Sequence, residues 1–203
     1  MKRRAMPLPR LAIVPALAAA LALAACDSQP PLETAPLHGA AIGAPFALTG
    51  ADGEVHRWSD FDGKWRIVYF GFTYCPDICP TDVQRLSQGL SQFEKAEPEL
   101  GAQVQPIFIT IDPARDKPEV VGEFVSNFHP RLIGLTGTEA QIADTAKAFG
   151  VFYSRGEEGA NGSYLMNHST TAYLFAPDGS PVAILPTDQG ADAVAAELAR
   201  WVR

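Results

Sequence analysis

The body of this sequence has no apolar run of about 18 residues, the length a membrane-crossing helix needs, so no part of it beyond the N-terminus is read as a spanning helix. Side chains that bind metals are few: histidines at 38, 56, 129 and 168, and cysteines at 26, 75 and 79. A structural zinc centre wants four nitrogen or sulfur ligands, and so small a stock leaves little room for one. Positive charge is also short, with 16 bases against 23 acids and a net charge of −7. Four of those bases, Lys2, Arg3, Arg4 and Arg10, lie within residues 1–26, where there is no acid, so the remainder carries 12 bases against 23 acids and a net −11. Such a surface repels a phosphate backbone, and nucleic acid is not expected as a partner. No internal repeat is present.

Residues 1–26 run from basic to apolar, Leu11 to Ala25, and end in small residues, the pattern of a secretory signal. The segment closes on Leu23-Ala24-Ala25-Cys26, which resembles the bacterial lipoprotein signal, in which the cysteine after a small residue is lipidated and becomes the first residue. On this reading Cys26 carries a lipid anchor, and Asp27 resembles an inner-membrane retention signal. The expected location is then the bacterial cell membrane, with the domain facing the periplasm or the cell exterior. An uncleaved anchor is the alternative, and it holds the domain on the same side. Residues 27–40 are rich in proline and alanine and have no period, so they read as a flexible tether. Residues 41–203 form the domain.

Arg66 to Phe72 is a β-branched and aromatic run suited to a buried central strand. Val83, Leu86, Leu90 and Phe93 follow at helical spacing. Val104 to Ile111 is a second strand that stops at Asp112-Pro113. Pro118 can open a helix as its first residue, with Val121, Phe124, Val125 and Phe128 on one face. Thr138 and Gln141 have capping-box spacing ahead of Ile142, Ala146 and Phe149, and Gly150 ends that helix. Val151 to Ser154, Thr170 to Phe175 and Val182 to Leu185 read as strands, Pro177-Asp178-Gly179 as a turn, and Ala191 to Val202 as a closing helix. Phe46 to Arg57 adds a front hairpin turning at Ala51-Asp52-Gly53. Helices crossing between strands predict an α/β fold with a mixed central sheet.

Cys75 and Cys79 fall between a buried strand and the first turn of a helix, where the helix N-terminus favours the thiolate, which is both nucleophile and metal ligand. Residues four apart share one side of a helical turn, so the pair can close a disulfide or hold one soft ion. A structural disulfide is the bland alternative, but so short a loop stabilises little by chain entropy. Pro76 and Pro80 stiffen the segment. His38, His56 and His129 read as solvated or locally hydrogen-bonded. His168 enters a strand that should return beside the first one and reach the cysteines. Two thiolates and one imidazole make a soft three-coordinate site, better suited to Cu(I) or Cu(II) than to zinc, calcium or magnesium. Met166 could share a face with His168, though core packing explains it as well. Asp77, between the cysteines, is a candidate to tune the sulfurs from outside the ligand set, or simply a helix-start acid.

The motif Gly71-Phe72-Thr73-Tyr74-Cys75-Pro76-Asp77-Ile78-Cys79-Pro80 resembles the signature of the Sco/SenC copper-binding proteins. Ile111-Asp112-Pro113-Ala114-Arg115-Asp116 with Pro118-Glu119 resembles a second segment of that family. Tyr164-Leu165-Met166-Asn167-His168-Ser169-Thr170 resembles a third, with Asn167 where many relatives have Asp. The resemblance implies a thioredoxin-like fold with Cys75, Cys79 and His168 as copper ligands. It also implies a metallochaperone that helps deliver copper to, and keeps reduced the thiols of, the dinuclear copper centre of a respiratory cytochrome c oxidase. The implied partners are the copper-bearing subunit of that oxidase and other periplasmic copper carriers, with the membrane engaged through the lipid. The alternative is a membrane-tethered thiol–disulfide oxidoreductase or redox sensor in which Cys75 and Cys79 form the redox-active pair. A peroxidase, suggested by Cys79-Pro80-Thr81, would need neither Cys75 nor His168.

Overall fold

A computed structural model of the chain describes residues 29–159 and 161–203. Its centre is strand β3 (Trp65–Gly71), buried at all seven positions. A strand covered on both faces reads as a continuous apolar run, not an alternating one. Arg66 is the exception inside that run. Its Nε donates to the Phe61 carbonyl at 3.0 Å and its Nη2 to Asp62 at 2.7 Å, and the guanidinium lies 4.2 Å from the Trp58 ring centre. A buried charge survives only when paired in this way.

Strand β4 (Val104–Thr110) runs parallel to β3, and β5 (Ile133–Thr136) parallel to β4. On the other side β8 (Ala172–Phe175) is antiparallel to β3, and β9 (Pro181–Leu185) antiparallel to β8. The front hairpin, β1 (Ala47–Gly50) and β2 (Val55–Arg57), extends the sheet past β5, giving the order β2-β1-β5-β4-β3-β8-β9. The hairpin is fixed to the sheet by aromatic packing. Trp58 meets Phe46, Phe149 and Phe175 edge-on at 5.5, 5.6 and 5.2 Å, geometries that add to plain burial.

Helix α1 (Ile78–Ala96) buries Cys79, Val83, Leu86, Leu90 and Phe93 along one stripe. It packs on α4 (Ala191–Trp201), and Gly89 permits the close approach: a Cβ there would lie 2.6 Å from Val194 Cγ1 and 2.8 Å from the Ala191 carbonyl oxygen. Helix α2 (Pro118–Ser126) begins on its proline, as the sequence predicts. Helix α3 (Glu139–Ala148) begins with the expected capping box, Thr138 accepting from the Gln141 amide and Gln141 returning to Thr138.

Three sequence expectations change. The flexible tether over 27–40 is, from residue 29 onward, laid on the body. Gln29 donates to the carbonyls of Ala199 and Val202, Leu37 N–H bonds to the Val182 carbonyl, and Ala35 is buried. Proline and alanine here read as a linker by composition, but they also suit a chain that lies flat and docks small apolar side chains. Strand β5 adds to the expected elements: Ile133-Gly134-Leu135-Thr136 is short and carries a glycine, so its pattern does not announce a strand. That glycine leaves room for α2: a Cβ on Gly134 would meet Val121 at 2.4 Å. Finally, His168 is not on the returning strand, which starts at Ala172. It ends β7 (Met166–His168), which pairs only with β6 (Tyr153–Arg155) in a separate two-stranded ribbon.

Candidate metal centre

The sulfur side is built where β3 leaves the sheet. After Gly71 the chain turns, Cys75 N–H donating to the Phe72 carbonyl at 3.3 Å, and enters α1. Cys79 lies in the first turn of α1 and is fully buried, whereas Cys75 is half-buried, and neither is in a disulfide. The backbone N–H of Cys79 donates to Cys75 Sγ at 3.3 Å, so the first sulfur sits on the helix N-terminus. Gly71 makes space for the second sulfur, since a Cβ on it would lie 3.2 Å from Cys79 Sγ. Burial pushes the Cys79 thiol well above its ordinary value; the Phe72 backbone amide and the Tyr69 hydroxyl pull it down, and Cys75 pushes it up. Tyr69 itself donates to the buried Asp82 at 3.1 Å.

The nitrogen side comes from the ribbon. His168 Nε2 lies 3.3 Å from Cys79 Sγ. Its Nδ1 lies 2.8 Å from the Ser169 carbonyl, which can only accept, so the proton is on Nδ1 and the Nε2 lone pair faces the sulfur. A backbone carbonyl bonded to the far nitrogen is how ligating histidines are oriented. Burial lowers the His168 pKa, against the Ser169 bond and Asp82, so the ring is held in the neutral form that can bind a metal. The Phe72 ring packs edge-on against His168 at 5.8 Å.

Cys75 and His168 line one hollow of about 370 Å³ together with Phe72, Ile78 and Met166, and the buried Cys79 joins the site through its contact with His168. They are not closed into a preformed set of three ligands among the described residues. Cys79 and His168 already touch, and the half-buried Cys75 lines the opening with its sulfur on the Cys79 N–H. The donor chemistry fits a soft ion. Ile78 and Leu165 line the opening and are exposed at 48% and 55%, and Tyr74, the residue before Cys75, is exposed at 52%.

The other sequence candidates fall elsewhere. Asp77 is exposed at the N-cap of α1, lines the hollow and makes no capping bond, and Asn167 is exposed on the ribbon. His56 pairs with Asp52, His129 is buried with Glu94 and the Arg131 amide as partners, and His38 is exposed away from the hollow. Cys26 lies outside the described residues. Sequence reasoning gave no role to Asp112, Arg115, Asp116 and Tyr164, which tie the two halves of the site together. The available signal was three charged residues in five at the end of a buried strand.

The sequence model of the family described as SCO1/SenC matches residues 34–203. The chain belongs to the SCO1/SenC family. It is 45% identical over 148 residues to "Protein SCO2 homolog, mitochondrial" of Bos taurus, which covers 72% of this chain and 55% of that protein. The copper-bound ScoI of Arabidopsis thaliana superposes with a TM-score of 0.72 at 38% identity, covering 78% of this chain and 96% of that one. The copper-bound ScoI of Bradyrhizobium japonicum gives 0.72 at 34% identity, over 80% and 100%. These neighbours bear out the thioredoxin-like fold. The chain spans about half the length of the curated relatives it matches.

The names also correct the expected location. The SCO2 and SCO1 relatives of Bos taurus, Homo sapiens and Saccharomyces cerevisiae are mitochondrial proteins, which points to mitochondria and away from a bacterial cell membrane. The physical source of the error is that a basic, acid-free N-terminus is common to export signals and mitochondrial presequences and does not separate them. Residues 1–26 lie outside the described residues.

Proposed function

We propose that this protein is a copper metallochaperone that binds one copper ion through Cys75, Cys79 and His168. It delivers that ion to the dinuclear copper centre of a respiratory cytochrome c oxidase and helps keep the client thiols reduced. The carrying observation is the 3.3 Å approach of the neutral His168 Nε2 to the buried Cys79 Sγ, with Cys75 Sγ on the same helix N-terminus. Two sulfurs and one imidazole, with Asp77 the one carboxylate lining the opening among the described residues, suit Cu(I) far better than a hard cation. Copper here is cargo. The half-exposed Cys75 gives a partner's ligands access, and exposed Tyr74, Ile78 and Leu165 offer an apolar rim for the copper-bearing subunit or for a copper donor. Residues 1–26 act as a targeting segment, which N-terminal sequencing of the mature protein tests.

The experiment is copper analysis with X-ray absorption on the reduced protein. One copper per chain with two sulfurs and one nitrogen is expected, the nitrogen disappearing in His168→Ala. A protein that takes no tight copper but cycles a Cys75–Cys79 disulfide sinks the proposal. That outcome would favour a second reading, thiol–disulfide exchange, supported by both cysteines being free and Cys75 being accessible. There Cys75 thiolate would attack a client disulfide and release one client thiol. Cys79 would then displace the second, leaving a Cys75–Cys79 disulfide and two electrons on the client.

A further inference from the structure

Between β4 and α2 the chain reads Asp112-Pro113-Ala114-Arg115-Asp116. Asp112 is 3% and Asp116 0% exposed, an unusual depth for two carboxylates so close in sequence. Each reaches toward a different half of the metal centre. Asp116 accepts from the Thr73 backbone N–H at 3.0 Å and from the Thr73 hydroxyl at 2.6 Å, two residues ahead of Cys75. The Thr110 hydroxyl completes that carboxylate at 2.6 Å. Asp112 accepts from the Tyr164 hydroxyl at 2.9 Å, four residues ahead of His168, and from Arg115 Nε at 2.5 Å. Arg115 Nη1 donates to the Tyr164 carbonyl at 2.9 Å, and its guanidinium lies 3.6 Å from the centre of the Tyr164 ring. Arg155 of β6 lies 3.8 Å from the same ring centre.

We propose that Asp112, Arg115 and Asp116 are positioning residues: together they bracket the cysteine segment and the His168 ribbon and set the distance between them. The inference rests on the copper-site reading above. The physical need is plain. A two-stranded ribbon has little stability of its own, and β6–β7 shares no strand pairing with the main sheet. Its placement against α1 must come from side chains. The bonds that provide it are charge-assisted and partly buried, the kind with most energy and geometric definition. Asp116 is itself anchored, its carbonyl accepting from the Thr136 hydroxyl of β5 at 2.7 Å. The bracket therefore refers both halves of the site to the rigid sheet.

The test uses Arg115→Gln and Tyr164→Phe in the full chain. Arg115→Gln removes the links from Arg115 to Asp112 and to Tyr164; Tyr164→Phe removes only the hydroxyl bond. Without copper, amide hydrogen exchange at Met166–His168 should rise about tenfold in Arg115→Gln, and less in Tyr164→Phe, with β3 and β4 unchanged. With copper, both sulfurs should remain while the nitrogen ligand weakens or is lost. Wild-type exchange at the ribbon with an intact nitrogen ligand would overturn the inference. So would a rise spread evenly over β3 and β4, since that is global destabilisation. Should Arg115→Gln fail to fold, the milder Tyr164→Phe decides by the same readouts. If the wild type takes no copper, the functional reading fails, and the apo exchange still judges the bracket.

Discussion

Gly71→Ala sets two effects of known size against each other. Gly71 ends β3, pairs with Thr110 of β4, and its carbonyl accepts from Ile111 N–H at 2.8 Å. Its φ is not in the left-handed region, so alanine meets no backbone strain. Removing glycine from the unfolded chain would by itself stabilise by about 0.4–1 kcal/mol. The new methyl, however, would lie 3.0 Å from Phe108 Cε2, 3.0 Å from Tyr69 Cε1 and 3.2 Å from Cys79 Sγ. Comfortable carbon contacts lie at about 3.5–4.0 Å, so all three are short. Those neighbours are 0%, 1% and 0% exposed and have nowhere to go. Overpacking of this kind costs about 1–3 kcal/mol. The clash wins: a net loss of about 1–2 kcal/mol is expected, or a Tm lower by about 4 °C for a domain of this size. Thermal unfolding of the apo protein followed by circular dichroism reads it directly. A variant more stable than wild type would show that the Cys79 sulfur is not held as tightly as the structure places it.

The remaining expectations are smaller. Thr138→Ala removes the capping box of α3 and should cost about 1 kcal/mol, read as a lower denaturation midpoint with an unchanged slope; no shift would mean the cap is idle. Burial holds Asp116 above its ordinary 3.8, against the opposing Thr110 and Thr73 bonds. The native state thus keeps that proton longer than the unfolded chain, and this group's contribution to stability falls as pH rises above 3.8 toward the folded value. The advantage of wild type over Asp116→Asn should therefore be largest below about pH 4 and narrow toward neutrality; a widening gap in urea titrations would refute the sign. Because burial holds the Cys79 thiol above its ordinary 9.0, copper binding must displace that proton. Apparent affinity should climb about tenfold per pH unit for each proton released, and a chelator competition with no pH slope would count against thiolate ligation.

The sheet was legible where burial leaves its mark on composition. Trp65–Gly71 and Val104–Thr110 are mainly apolar runs broken only by Arg66, Gln105 and Thr110, and Thr138 and Gln141 announce α3. The cysteine pair was legible for the same local reason, since a strand end and a helix start fix its surroundings within a few residues. The histidine was legible as a candidate but not in its placement. The sequence reading places His168 on a strand beside β3; it belongs to a ribbon whose neighbouring Tyr164 bonds Arg115 and Asp112, side chains about 50 positions away in sequence. Contacts of that range leave no periodicity to read. The N-terminal body segment was misjudged in the opposite way. Gln29, Ala35 and Leu37 look like linker by composition, and only the body surface near Val182 and Val202 makes them part of the fold.

The choice between metal delivery and plain thiol exchange turns on His168 and on the burial of Cys79. Exchange requires Cys79 to ionise and reach the sulfur of Cys75, and burial works against that ionisation. A bound cation offsets the same desolvation with its own charge, and a coordinating thiol is deprotonated by the metal it binds. His168 is held neutral, its Nδ1 proton committed to the Ser169 carbonyl and its free lone pair aimed at Cys79 Sγ. A neutral imidazole would be a weak aid to exchange, because burial outweighs the pull of the Ser169 carbonyl and of Asp82 toward the charged form. As a ligand it needs nothing more than it has. The two features that hinder the dithiol chemistry, a buried second thiol and a neutral histidine pinned against it, are the two that a soft cation requires.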